Sequence, residues 1–301
     1  MATAEARSEE RPEDLRPLLS SIAYRMTGGV GDAEDIVQEA YLRYQRALGE
    51  GTEVESPRAY LSAVVTRLSI DHLRSARVQR EQYVGQWLPE PIVVDDAAGV
   101  EEQAEMADSL SLAFLVLLES LSPVERAVFL LREVFEYPYD EIASIVGRSE
   151  ENCRQIALRA RKHVDARRPR FQATPQEREE LAGRFLAALG EGNMDELVQL
   201  LADDAATYAD GGGKAPALTQ SVQGNVRVAR FLLGLQRYAE RMRFMVRPAW
   251  VNGELGFVAF DAEGRVVSAT ALEIREGRIQ AIRSIANPDK LRHIGSGKRA
   301  P

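Results

Sequence analysis

The stretch YDEIASIVGRSEENCRQIALRARKHV, residues 139–164, contains two helical patterns separated by a glycine. Ile142 and Ile145 place apolar side chains on one side of the first pattern, and Gly147 stands where a helix commonly ends. Ser149, followed by two glutamates, is a favourable start for the next helix because it can cap the backbone while the carboxylates match the helix dipole. The stretch therefore predicts a helix, a short turn and a second helix.

The second of these helices is expected to bury one face and expose a basic one. Apolar residues recur on it at helical spacing: Cys153, Ile156, Ala157, Ala160 and Val164. The opposite and flanking positions are polar or basic: Arg154, Gln155, Arg159, Arg161 and Lys162. Arginine can hold phosphate or pair with guanine, and glutamine can pair with adenine. The pattern favours reading of a DNA major groove; the alternative is a basic, solvated helix in an all-helical domain.

On the N-terminal side of this motif, the sequence contains two helical segments separated by a linker. A helix starting at Ser122-Pro123 precedes the motif, and together they form a block over 109–168. An earlier block, 12–80, is also helical by pattern. Between them, residues 81–108 carry eight acidic side chains and no basic one, with two prolines and one aromatic anchor, Trp87. This composition predicts an acidic linker.

The period changes from about residue 176. Helical patterns come first, and strand-like runs follow, punctuated by Asn-Gly and Glu-Gly turns such as Asn252-Gly253. Helices followed by an antiparallel meander predict an α+β domain over 176–286, with a curved sheet wrapped around a helix. A tail, 287–301, follows it.

Composition limits the classes of protein that remain. The chain has 301 residues, a formal net charge of −8 and 45% hydrophobic residues, as expected for a soluble protein of two or three domains. No apolar run approaches the ~18 residues that a membrane span needs, and the N-terminus shows no secretory signal, so a cytoplasmic location is expected. One cysteine and three scattered histidines predict neither a disulfide framework nor a metal site.

Two motif blocks in this order resemble the extracytoplasmic-function sigma factors. The first contains DAEDIVQEAYLRY (32–44) and SPRAYLSAVVTRLSIDHLRSARVQRE (56–81), and the second is LSPVERAVFLLREVFEYPYDEIASIVGRSEENCRQIALRARKH (121–163). The resemblance implies a region 2 domain at 12–80, which binds core RNA polymerase and the −10 element. It also implies a region 4 helix-turn-helix domain at 109–168, which binds the −35 element.

The resemblance also implies roles for side chains of the first block. One face of the helix around residue 35 would dock on the clamp helices of bacterial RNA polymerase: Asp32, Asp35, Gln38 and Glu39. Basic residues of the next helix would hold promoter DNA: Arg58, Arg67, Arg74 and Arg77. Asp71 is spaced for an ion pair within that helix, so part of this charge is expected to be structural. Without the resemblance, the acidic face would be read as a solvated one.

Residues 176–286 resemble the SnoaL-like branch of the NTF2-like cone, which hosts enzymes, ligand binders and interaction modules, so the fold alone assigns no chemistry. DGGGK (210–214) lacks the spacing and the following helix of a phosphate-binding loop. It matches, with WLPEP (87–91) and NPDKL (287–291), sigma factors whose fused SnoaL-like extension replaces an anti-sigma protein. The implied interdomain regulatory residues are Trp87, Leu88, Pro89, Asp210, Gly211, Gly212, Gly213, Lys214, Asn287, Pro288, Asp289, Lys290 and Leu291.

Contacts within that regulatory set follow from its chemistry. Lys214 is expected to pair with linker carboxylates beside Trp87, and Asn287-Pro288 to turn the tail away from the cone. The overall prediction is a promoter-specificity subunit of RNA polymerase that needs no cofactor and is no enzyme. A stand-alone, ligand-responsive helix-turn-helix regulator and an enzyme tethered to DNA are the alternatives. No feature of the sequence supports the small-molecule ligand in the cone that the former would require.

Overall fold

The computed structural model describes residues 11–81, 83–94, 109–166 and 174–295, with the backbone alone at 77–81 and 175. Most of the predicted acidic linker, 95–108, lies outside these ranges, as do the end of the tail and the side chain of Arg77. The chain forms two compact units. Of the described residues, one unit contains 11–78 and 119–164, and the other contains 79–81, 83–94, 109–118, 165–166 and 174–295.

The described residues form helices throughout the regions predicted to be helical. In chain order they are α1 (Arg16–Thr27), α2 (Val30–Gly49), α3 (Pro57–Glu81), α4 (Leu112–Leu118), α5 (Pro123–Glu133), α6 (Tyr139–Val146), α7 (Glu150–Asp165), α8 (Pro175–Glu191), α9 (Met194–Leu200) and α10 (Asn225–Arg241). Short 3-10 helices occupy Pro12–Leu15 and Pro288–Lys290. Their ends follow local chemistry: α1 stops at Gly28, whose φ of 74° is left-handed, and Ser122 and Glu125 form a capping box on α5.

The helix-turn-helix is formed by α6 and α7, as predicted. Gly147 ends α6 with a φ of 66°, and the Ser149 hydroxyl accepts a hydrogen bond from the Asn152 N–H at 3.3 Å. Cys153 is completely buried, in one cluster with Ile142 and Ile156. The stripe predicted from helical spacing is therefore the side of α7 that packs into the core.

Polar contacts join the two helical segments of the first unit. Arg126 on α5 is buried; its guanidinium donates to the Met26 carbonyl at the end of α1 and to Glu119 Oε1 at 2.6 Å. Burial lowers the pKa of Arg126 to about 9. The hydroxyls of Ser62 on α3 and Tyr137 lie 2.7 Å apart. In this unit the N-terminal helices and the helix-turn-helix are thus packed together.

Among the described residues, the second unit is built on a seven-stranded sheet. Its strands are β1 (Val93–Val94), β2 (Leu201–Asp210), β3 (Val222–Gln223), β4 (Met245–Val251), β5 (Glu254–Phe260), β6 (Val266–Arg275) and β7 (Arg278–Ile285). They lie in the order β1-β4-β5-β6-β7-β2-β3. The predicted meander is the run β4 to β7; β2 pairs with β7 in parallel. β1 belongs to the predicted linker and pairs with β4.

The two faces of the sheet have different coverings. One face packs against α8, α9 and α10, with Phe185, Val228 and Ile279 completely buried between them. The other face is covered by parts of the chain that come from before and after the cone: Leu88, Leu112 and Leu291 join one cluster with Val251 and Val258, among others. The alternation of strand side chains separates the two clusters, since Leu255 and Phe257 face the helices while Val258 faces the other side.

Candidate functional site

The outer face of α7 is accessible over its basic positions. Arg154, Gln155, Arg159, Arg161 and Lys162 are all exposed. Two of these arginines also contact neighbouring side chains: Arg154 pairs with Glu150 at 2.6 Å, and Arg161 lies 3.5 Å from Glu133. Exposed ion pairs of this kind contribute little to stability, so the arginines can exchange them for phosphate at small cost.

The basic residues of α3 divide into different roles. Arg58 is exposed, and Arg74 makes the predicted ion pair with Asp71 at 3.1 Å. Arg67 instead reaches the end of α6, where its guanidinium donates to the Ile145 carbonyl at 2.9 Å and to the Ser144 carbonyl at 2.8 Å. It therefore caps the first helix of the helix-turn-helix in this conformation.

On α2, the predicted polymerase-binding residues lie on one side of the helix. Asp35 and Gln38 are exposed. Asp32 lies 3.3 Å from His72, and Glu39 accepts a hydrogen bond from Arg43 at 2.8 Å. That hydrogen bond lowers the pKa of Glu39.

Asp210, at the end of β2, is the centre of a buried cluster in the second unit, and its side chain is completely buried. Oδ1 accepts from the Tyr83 hydroxyl at 2.5 Å, while Oδ2 accepts from the Leu88 N–H at 2.8 Å and from Lys290 Nζ at 2.7 Å. Its carbonyl accepts from the N–H groups of Ala286 and Asn287. One side chain thus holds both the linker and the tail.

Lys290 supplies the positive charge opposite Asp210. Its ammonium also donates to the Leu88 carbonyl at 2.5 Å, and it lies 4.4 Å from the Trp87 ring centroid and 5.0 Å from that of Tyr83. A desolvated ammonium over aromatic faces is stabilised by their quadrupoles. Burial, followed by the hydrogen bond to Asp210, raises the pKa of the Tyr83 hydroxyl, so this group remains a donor.

The triple glycine allows the close approach of backbone to linker. A Cβ on Gly212 would overlap the Asn287 amide and come within 3.0 Å of the Tyr83 hydroxyl, and the residue has a φ of 58°. Asn287 donates to the Tyr83 hydroxyl at 2.9 Å. Glycine permits this approach because it has no Cβ. We call the resulting cluster the linker clasp; it consists of Asp210, Gly212, Tyr83, Asn287 and Lys290.

One detail of the predicted regulatory contacts, the course of the tail, is wrong. Among the described residues, Lys214 pairs with Asp289 of the tail, and this hydrogen bond lowers the pKa of Asp289; most of the linker carboxylates predicted as its partners lie outside the described residues. The tail turns toward the sheet: Lys290 and Leu291 are buried, and the His293 ring lies 2.8 Å from the Pro91 carbonyl. A buried pairing with Asp210 and apolar cover for Leu291 stabilise that course.

Several residues of this region escaped prediction. Tyr83 precedes the WLPEP motif and carries no periodic signal. Gln86 accepts a hydrogen bond from the Ala209 N–H at 3.2 Å. Asn252 is predicted only as a turn residue, and Glu254 is not singled out by the sequence; both contact chain segments outside the cone. An Asn-Gly pair in a sequence predicts the backbone conformation of a turn, but it does not predict which groups the asparagine side chain contacts.

Two absences concern only the residues that the structure describes. Among these residues, no three His, Cys, Asp or Glu side chains come together as a metal site would require. Their helices include none with the length and apolar character of a membrane span.

Comparison with known families assigns each part of this architecture. Sigma-70 region 2 matches residues 13–78, Sigma-70 region 4 matches residues 111–164, and the SnoaL-like domain matches residues 182–285. The chain belongs to the extracytoplasmic-function (ECF) RNA polymerase sigma factors and carries a C-terminal SnoaL-like domain.

Individual relatives extend over nearly the whole chain. It is 42% identical over 288 residues to the ECF RNA polymerase sigma factor SigJ of Mycobacterium tuberculosis (strain ATCC 25618 / H37Rv), covering 93% of this chain and 91% of the relative. It is 31% identical to the probable ECF RNA polymerase sigma factor SigI of M. tuberculosis (strain CDC 1551 / Oshkosh), covering 92% of each. The crystal structure of M. tuberculosis SigJ matches with a TM-score of 0.72 and 40% identity, covering 92% of this chain and 96% of that one.

Proposed function

We propose that this sigma factor directs promoter-specific initiation by bacterial RNA polymerase, and that its SnoaL-like domain restrains it by holding the linker between regions 2 and 4. The exposed basic face of α7 would bind the −35 element. Arg58 and Arg74 would contact the −10 region, and the acidic side of α2 would bind the polymerase. We place the two sigma regions at residues 12–80 and 109–168, the limits that the sequence motifs give.

The linker clasp is the observation that carries the regulatory part. The buried carboxylate of Asp210 accepts hydrogen bonds from Tyr83, Leu88 and Lys290. Leu88 is itself buried on the sheet. Segments that must reach across a polymerase cannot remain in this arrangement. Opening therefore has a free-energy cost, and the apparent affinity for the enzyme falls by the fraction of molecules that are open.

The interior of the cone favours a regulatory role over a metabolite site. The space between the helices and the sheet is occupied by large apolar side chains, including Phe185, Leu197 and Val228, each completely buried. Buried apolar packing of this kind supports a structural use of the domain more than a metabolite site. The buried oxygens of Asp210 are likewise engaged by groups of the chain itself, which is a structural use of that carboxylate.

Reconstituted transcription tests the sigma function. Core RNA polymerase with the full-length protein should initiate at a promoter that core alone does not use, and the protein should co-purify with core. The substitution Arg159→Ala should weaken promoter use, whereas Arg184→Ala, which changes an exposed arginine on α8 of the C-terminal domain, should not. Tight binding to an operator without polymerase, together with failure to associate with core, would contradict the proposal and favour the stand-alone regulator.

A further inference from the structure

Asn252, in the turn between β4 and β5, contacts two residues that are distant from it in sequence, Ile92 and Leu110. Its side-chain oxygen accepts a hydrogen bond from the Ile92 N–H at 2.9 Å, and its side-chain amide donates to the Leu110 carbonyl at 2.9 Å. Its backbone N–H also donates to the Ile92 carbonyl at 2.8 Å. The residue is only 1% exposed, so these bonds are shielded from water.

The chain beyond Leu110 enters α4, which packs on the sheet. Leu112 and Val116 are four residues apart, on one side of the helix, and both join the apolar cluster that contains Val251. Glu254, two residues after Asn252, accepts a hydrogen bond from the Leu112 N–H. The β4–β5 turn thus holds the start of α4 through neighbouring side chains.

This contact involves a part of the sigma factor that reads DNA. Residues 111–164 match Sigma-70 region 4, and α4 is the first helix within that match. In the structure α4 belongs to the same compact unit as the SnoaL-like sheet, and the division between the units falls after residue 118. The helix is therefore shared between the DNA-reading region and the C-terminal domain.

We propose that Asn252 is a positioning residue through which the SnoaL-like domain holds the first helix of region 4, as a second regulatory contact beside the linker clasp. The inference rests on the proposed function, because it assumes that the C-terminal domain restrains the sigma regions. It adds that the restraint reaches region 4 at Leu110 and α4, and not only the linker at Leu88.

An amide is the side chain that this position requires. It must accept from one backbone group and donate to another, which a carboxylate cannot do when ionised. Asn252 also has a left-handed φ of 54°, a conformation that asparagine, aspartate and glycine tolerate better than other residues. Asn252→Asp therefore keeps the turn and the acceptor for Ile92, removes the donor to Leu110, and sets an anion against that carbonyl.

Hydrogen exchange of the full-length protein tests the contact directly. In Asn252→Asp, exchange of peptides covering 110–118 should accelerate by about 5- to 30-fold, the effect of losing a buried hydrogen bond. Exchange of β6 and β7 should stay unchanged. Asn193→Asp is the matched control: Asn193 caps α9 by accepting a bond that aspartate accepts equally well, so α4 should exchange at the wild-type rate.

Transcription with core polymerase separates this inference from the proposed function. Asn252→Asp should raise promoter output, as should Asp210→Asn in the linker clasp, while the sheet domain of each variant remains folded. Output raised by Asp210→Asn but not by Asn252→Asp would overturn the inference and leave the proposed function intact. Wild-type output from both variants would overturn both. Unchanged exchange of 110–118 would also overturn the inference.

Discussion

Replacing Asp210 by asparagine should open the linker clasp without changing the shape of the side chain. The substituted amide would keep one acceptor, but Lys290 would lose its charged partner while only 9% of its side chain is exposed. Breaking a buried ion pair by removing one partner costs about 3–5 kcal/mol. The free energy for opening the linker should therefore fall by about that amount, which corresponds to at least about 100-fold faster exchange.

The Leu88 amide is the natural probe, since its N–H donates directly to Asp210. Exchange should be followed by mass spectrometry on peptides covering 86–92, because unfolding of a chain with two units need not be two-state. Asp204→Asn, an exposed aspartate on the same strand, is the control and should change exchange little. Wild-type exchange of 86–92 in Asp210→Asn would refute the claim that this carboxylate holds the linker.

A double-mutant cycle with Lys290→Met assigns the loss to the ion pair. If the cost in Asp210→Asn is mainly the stranded ammonium, adding Lys290→Met should recover part of it, and the two substitutions should show a coupling energy of more than about 1 kcal/mol. Strictly additive effects would mean that Asp210 acts through Tyr83 and Leu88 instead.

Three further predictions concern other parts of the chain. Gly212→Ala should loosen the linker clasp by about 1–3 kcal/mol through overlap with Asn287, whereas Gly277→Ala, with a similar positive φ but open space, should cost about 1 kcal/mol; exchange of 83–94 separates them. Burial raises the pKa of Glu254 to about 8, so the folded state binds this proton more tightly than the unfolded state. The free energy of unfolding of the sheet domain should therefore decrease as the pH rises from about 5 to 8. In Glu254→Gln this decrease, measured by urea unfolding, should be smaller by more than about 1 kcal/mol, and an unchanged pH profile would contradict the prediction. Arg159→Ala should reduce the salt slope of promoter binding by the holoenzyme by about 0.9, and an unchanged slope would exclude a phosphate contact.

Local patterns were enough to predict the helices and most turns. The end of α6 at Gly147, the cap at Ser149 and the burial of Cys153 follow from short-range steric and hydrogen-bonding rules. The Asn252-Gly253 turn is also confirmed, with left-handed φ at both residues. Such features depend on neighbours in sequence, which a single chain displays.

Contacts between distant segments were predicted less well. The resemblance grouped Asp210 with Lys290, but the partner of Lys214 and the course of the tail depend on which strands lie side by side. β2 pairs in parallel with β7, which brings Asp210 beside Ile285 and hence beside the tail. No periodicity in the sequence indicates that these strands are neighbours. Nor does any indicate the role of Tyr83, which lies 127 residues before Asp210 in the chain.

The account depends most on the claim that the linker clasp limits access to RNA polymerase. Its most direct test is the affinity of core RNA polymerase for the wild-type protein, Asp210→Asn and Asp204→Asn, measured by titration at one salt concentration. Because opening the clasp precedes binding in this account, Asp210→Asn should bind core at least about five-fold more tightly, and Asp204→Asn should match the wild type. Equal or weaker binding by Asp210→Asn, in a protein that remains folded, would contradict the account.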